Sequence, residues 1–258
     1  MKLTVLNENV AGNDCSAEHG LSYFIEDDTN LLFDTGPSDV IIRNAEKLKI
    51  DLDKIPTVVL SHGHWDHGNG LLYLKDKKLI THPESFSFKH RRGSKVTNGL
   101  PITLREAKER FNLILTRDPY PVSENITFLG EIPRINDFES KTTSFIKEDG
   151  SPDFMPDDSA LAINSPKGLI VVTGCSHSGI CNIAEHARYV MGSDKVYAVI
   201  GGFHLKKDDK VLEKTINYFK KLKVEHLYPS HCTELPALAR FYCEFGIMQL
   251  LSGDILTF

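Results

Sequence analysis

Short apolar runs broken by polar turns fill residues 1–82. Leu3–Leu6, Leu21–Ile25 and Leu31–Phe33 are continuous or alternating, and Glu26-Asp27-Asp28-Thr29-Asn30 separates the last two, a pattern that predicts strands joined by hairpin turns. From residue 39 to 48 the period changes. Val40, Ile41, Asn44, Ala45 and Leu48 recur at helical spacing, with Ser38 placed to cap the helix start. Thr57–Leu60 then reads as a buried strand.

Residues 151–258 alternate strand and helix. Strands are predicted at Leu161–Ile163, Leu169–Thr173, Val196–Ile200 and Glu225–Tyr228, and helices at Ile183–Met191, Val211–Leu222 and Leu235–Phe245. Such alternation implies an α/β arrangement. Residues 83–150 break the rhythm with several prolines, one helical stretch from Leu104 to Phe111 and a basic cluster. They are expected to leave the core as a lid or substrate-binding insertion.

The chain has 258 residues, 41% apolar and 25% charged, which is ordinary for a globular protein with a sizeable core. Its 35 acidic and 30 basic side chains leave a formal net charge of −5, which disfavours a general nucleic-acid binder. No apolar stretch approaches the roughly 18 residues of a membrane-spanning helix, and Leu3–Leu6 is too short for a secretion signal. The cysteines (Cys15, Cys175, Cys181, Cys232, Cys243) are odd in number and include no C-x-x-C pair. A disulfide framework is therefore not expected, and a cytoplasmic location is.

Histidine placement changes the picture. Four apolar runs end in small or turn residues and then histidine: VVLSHGH (His62, His64), LIVVTGCSH (His177), VYAVIGGFH (His204) and EHLYPSH (His231). Ligand sites of α/β sheets form at the carboxyl ends of strands, so these segments are expected to line one cleft. His62-Gly63-His64-Trp65-Asp66-His67 places three imidazoles and a carboxylate in one short run. In an extended segment positions i and i+2 face the same way, so His62 and His64 can chelate one cation, with Asp66 and His67 aimed beside them toward a second. Imidazole and carboxylate suit zinc, iron or manganese, and the lack of a thiolate cluster argues against a zinc finger. Chance yields such a pattern in roughly one or two chains of this composition per thousand.

This H-x-H-x-D-H run after an apolar strand resembles the metallo-β-lactamase superfamily. Leu32-Phe33-Asp34-Thr35-Gly36 is similar to that superfamily's first motif, where the Asp is a buried support, and His231 matches the last ligand histidine. The resemblance implies a single α/β (α+β) domain over residues 1–258, a four-layer αββα sandwich with a dinuclear site at one edge of its two sheets. Residues 83–150 would be its insertion. The set SHGHWDHGNGL, FLGEIPR, DDSAL, TGCSHSGICNI, VIGGFHL and PSHCTE resembles more closely the subfamily named after 7,8-dihydropterin-6-methyl-4-(β-D-ribofuranosyl)aminobenzene-5′-phosphate synthase.

The resemblance implies a hydrolase, or a transferase, in which two divalent cations activate water. Zinc is expected first, with iron or manganese as options. His62, His64 and His177 would hold one cation, and Asp66, His67 and His231 the other. Where the superfamily has a bridging Asp, this chain has Gly174-Cys175-Ser176-His177, so Cys175, His177 or an aspartate such as Asp153 takes that place; His177 is favoured. Asp66 would also orient the water, and His204 resembles the histidine that protonates the leaving oxygen in phosphodiesterase branches. Arg91 and Arg92 are candidates for a substrate phosphate. The expected partner is a small phosphorylated or pterin-like molecule, with no nucleic acid or membrane. Two alternatives stand beside this reading. One is a diiron-type redox protein, for whose usual flavin domain the chain has no room; the other is a non-catalytic metal- or ligand-binding protein, against which the intact motif argues.

Overall fold

The alternating runs near the start form an antiparallel meander of β1 (Lys2–Asn7), β2 (Ser22–Glu26) and β3 (Asn30–Phe33), with Leu3 opposite Ile25 and Ile25 opposite Leu31. The computed structural model describes residues 1–258, and its elements, numbered along the whole chain, divide into two compact units.

The first unit comprises Met1–Arg117, Thr143–Asp153 and Leu251–Phe258. Parallel strands β4 (Thr57–Val59), β5 (Lys78–Thr81) and β7 (Asn112–Leu115) extend the meander beyond β3. At the other edge β15 (Ile255–Thr257) pairs antiparallel with β1, giving a seven-stranded sheet. Helix α1 (Val40–Lys47) buries Ile41 and Ala45 in the cluster that holds Leu6, Phe24, Leu32 and Val58. Asp39 takes the position before its first turn, but the expected Ser38 supplies the bond, its Oγ accepting from Val40 N at 3.2 Å. Asn44 is polar yet buried: its amide donates to Leu6 O and Ser16 O at 2.7 and 2.8 Å, tying the helix to β1 and the loop beyond it. The short α2 (Trp65–Gly68) follows β4, and α3 (Leu104–Arg110) opens on a Thr103/Glu106 capping box.

The second unit comprises Asp118–Thr142 and Phe154–Leu250. Its six-stranded sheet runs β14 (His226–Ser230), β13 (Val196–Gly202), β12 (Leu169–Thr173), β11 (Ala160–Ile163), β9 (Ile126–Phe128), β8 (Tyr120–Pro121). β12, β13 and β14 are parallel and are followed by α4 (Ile180–Met191), α5 (Lys210–Leu222) and α6 (Leu235–Phe245). Val171, Val199 and Leu227 of the sheet share one core with Ile183, Ile216 and Phe241 of these helices.

The expected excursion over 83–150 thus contributes β7 to one sheet and β8 and β9 to the other. Its remainder includes a two-residue ribbon in the first unit, β6 (His90–Arg91) against β10 (Phe145–Ile146). No helix is long and apolar enough to cross a membrane.

Candidate metal centre

In the first unit, parallel neighbours β3 and β4 end at the same edge. Past β3, Asp34 adopts a left-handed backbone (φ 57°), which is costly for a residue with a Cβ and tends to persist where surroundings hold it. Its buried carboxylate reaches the chain leaving β4. Oδ1 accepts from Ser61 N at 2.7 Å, and Oδ2 meets Ser61 Oγ at 2.7 Å and His67 Nδ1 at 2.6 Å. A carboxylate only accepts, so the Ser61 hydroxyl proton points at Asp34 and Ser61 Oγ must itself accept from His62 Nδ1, 2.9 Å away. One carboxylate thereby fixes two tautomers. In the neutral rings both His62 and His67 keep the proton on Nδ1 and present Nε2 as a lone pair.

His62 Nε2 lies 3.0 Å from His64 Nδ1. Two zinc–nitrogen bonds of about 2.0 Å at a tetrahedral angle place their nitrogens about 3.3 Å apart, so this pair fits one divalent cation. The loop between them requires Gly63: a Cβ there would sit 1.9 Å from Ser85 O. Asp66 and His67 follow on α2, with Asp66 Oδ2 at 3.9 Å from His67 Nε2 and 3.3 Å from Nε2 of the exposed His19.

In the second unit the parallel strands β12, β13 and β14 end together, as the sequence pattern implies. Cys175, His177, His204, His231 and Cys232 sit just beyond these ends. Ser176, His204 and His231 all have left-handed backbones, with φ of 58°, 51° and 50°. Cross-bonds hold the turns: Ser176 Oγ donates to Gly202 O at 2.6 Å, and Phe203 N donates to Thr233 Oγ1 at 2.9 Å. The ligating atoms of Cys175, His177 and His204 lie within 4.8 Å of one another, and so do those of Cys175, His231 and Cys232. Burial opposes ionisation of the Cys232 thiol, but hydrogen bonds with Cys175 and His204 and the charges of His204 and His231 hold it well below the usual thiol range. Behind the cluster, Asp158 accepts from Ser178 N at 2.8 Å and from the Ser178 hydroxyl; burial pushes its carboxyl up. Imidazole, carboxylate and thiolate donors spaced this way fit divalent transition metals.

The other candidates lie elsewhere in the first unit. Asp153 is buried and paired with buried Lys89 at 3.6 Å, so it serves the ion pair of the basic segment and joins neither donor cluster. Arg91 and Arg92 are exposed on and beside the β6–β10 ribbon. Three contributors carry weak signals or none in the sequence reading: Ser61, His19 and Cys232. Cys232 had one available signal, its position beside a strand-end histidine.

The chain belongs to the metallo-β-lactamase superfamily, whose sequence model matches residues 16–85, and it has that superfamily's mixed α/β fold. In particular, it is 36% identical to the 7,8-dihydropterin-6-methyl-4-(β-D-ribofuranosyl)-aminobenzene-5′-phosphate synthase of Methanocaldococcus jannaschii, over 100% of this chain and 97% of that protein. It is 32% identical to an uncharacterized protein of the same organism, over 92% of this chain and 93% of that one. A solved metal-dependent hydrolase of the β-lactamase superfamily superposes with a TM-score of 0.89 at 33% identity, covering 100% of this chain and 99% of its own.

Proposed function

We propose that this chain is a dinuclear metal-dependent hydrolase, or a transferase using the same centre, acting on a small phosphorylated or pterin-like substrate. His62, His64 and His177 would hold one divalent cation, zinc before iron or manganese, and Asp66, His67 and His231 the other, with Cys175 a further ligand. The observation that carries this reading is the Asp34–Ser61–His62 and Asp34–His67 relay, which fixes ligand-competent tautomers deep in the protein. Metal-ligating histidines almost always donate their other ring N–H to such an acceptor.

Such cations supply Lewis acidity and a water acidified to near neutrality. Asp66 would orient that water through its carboxylate. His204 would supply a proton to the leaving oxygen, and Arg91 and Arg92 would offer charge to a phosphate. The synthase's name, which describes a pterin-linked aminobenzene phosphate, supports the substrate class, and the hydrolase supports the reaction class.

Elemental analysis of purified protein, combined with a screen of phosphodiesters, phosphomonoesters, lactones and pterin phosphates, tests the proposal. About two cation equivalents per chain and turnover of a phosphorylated substrate are expected. His62→Ala should lose metal while His204→Ala retains it and loses turnover; equal metal content in both would remove the division of roles. Turnover of a non-phosphorylated ester alone overturns the substrate class.

A further inference from the structure

We propose that Cys232 is a metal ligand, and that with Cys175 and His231 it builds a two-thiolate, one-imidazole position in the second unit. This rests on the reading of the chain as a metalloenzyme and deepens it: the position is that of the cation assigned above to His231, whose ligands Cys175 and Cys232 join.

Three observations carry the assignment. First, the ligating atoms of Cys175, His231 and Cys232 lie within 4.8 Å of one another. Tetrahedral zinc, with Zn–S near 2.3 Å and Zn–N near 2.0 Å, sets its ligand atoms about 3.5–3.8 Å apart, a spacing that falls within this bound. Second, the backbone is built to bring neighbours together. Consecutive side chains of an extended strand point to opposite faces, which would send 231 and 232 apart. The left-handed turn at His231 (φ 50°) breaks that alternation, and both side chains reach Cys175. Third, space is reserved for the sulfur. A Cβ on Gly202, at the end of β13, would come within 2.5 Å of Cys232 Sγ, so glycine admits the thiol to the strand-end cluster. There Cys232 Sγ donates to Cys175 O at 3.3 Å.

The chemical consequence is selectivity. Two thiolates and an imidazole favour zinc or cobalt over the hard cations magnesium and manganese, which prefer oxygen. Both cysteines bind as thiolates, any proton still on the sulfur leaves to solvent when the metal binds, and no oxidant is involved.

Titration of metal-free, reduced protein with cobalt(II) reads the ligands directly, because thiolate–cobalt bonds add intense near-ultraviolet charge-transfer absorption to the visible ligand-field bands. The wild type should show both. Cys232→Ser and Cys175→Ser should each lose about half of the charge-transfer intensity and keep the visible bands, and the double variant should lose it all. Cys232→Ser should also weaken zinc binding at least tenfold in chelator competition while leaving unfolding of the metal-free protein unchanged. Visible bands without charge transfer in the wild type would overturn the thiolate position and leave the metal centre standing. Charge transfer that is abolished by Cys175→Ser and untouched by Cys232→Ser would remove Cys232 from the ligand set. No cobalt bands at excess metal would overturn this proposal and the metal centre together.

Discussion

Asp34 touches no candidate cation in the first unit, yet it sets which nitrogen of His62 and His67 can bind one. In Asp34→Asn, an NH2 replaces one of the carboxylate oxygens, and the remaining carbonyl cannot serve Ser61 N, Ser61 Oγ and His67 Nδ1 as before. His67 is then free to carry its proton on Nε2, the nitrogen it should offer to metal. Zinc affinity is expected to fall about 10–100-fold, measured by competition with a chromophoric chelator. Ser61→Ala should cost less, because it releases only His62; unchanged affinity in both would refute the relay. At this scale the sequence displayed what repeats or clusters: His62, His64, Asp66 and His67 stand out by spacing, and Asp34 by its Asp-Thr-Gly setting. Ser61 was invisible because its role depends on a carboxylate that arrives from a different strand. His19 sits in a turn with no period, and the Glu18-His19-Gly20 turn is only a weak sign of its approach to Asp66.

At the scale of elements, α4 shows where local pattern runs out. Its apolar period predicts a start at Ile183, but the helix begins at Ile180, after Gly179, which has no side chain to cap it. The cap comes from Glu139, remote in sequence, which accepts from Cys181 N and Asn182 N at 3.0 Å each and from Asn136 Nδ2 at 2.6 Å. Glu139→Ala should cost about 1–2 kcal/mol in denaturant unfolding. Burial raises the Glu139 carboxyl, outweighing the hydrogen bonds from Cys181, Asn136 and Asn182 that lower it. The folded chain therefore holds this proton more tightly than the unfolded one. Its contribution to stability is full below the unfolded carboxylate value, about pH 4.3, and is lost as pH rises through the raised folded value. Glu139→Gln should remove that slope from the pH–stability curve, whereas an unchanged slope would show that another group produces it. By contrast, β12 and α6 match their predicted bounds, because a continuous β-branched run and a clean apolar period carry their own ends. The strands β7, β8 and β9 carry no pattern of their own, because two to four residues are too few to show a period, so residues 83–150 resemble an insertion with a single helix.

At the scale of the whole molecule, composition said only that a core was possible; the superfamily became legible through motifs near both ends of the chain. The sheets themselves are assembled from distant segments: β15 closes the first sheet against β1, and β8 and β9 join the second from the stretch read as an insertion. A resident centre of the proposed kind makes stability depend on metal, because the unfolded chain scatters the donors. With free zinc a hundredfold above its dissociation constant, linkage adds about 2.7 kcal/mol, or roughly 5–10 °C in the unfolding midpoint for a chain of this size. Protein stripped with chelator should melt lower by that amount and recover with zinc but not with magnesium, which thiolate and imidazole donors bind poorly. In His62→Ala and in His231→Ala the zinc-induced rise should shrink, since each removes a donor from one of the two clusters. The stripped forms of these variants should melt within a few degrees of stripped wild type, so that the loss lies in binding rather than folding. A wild-type midpoint indifferent to zinc would count against a resident metal, whatever activity the chain displays.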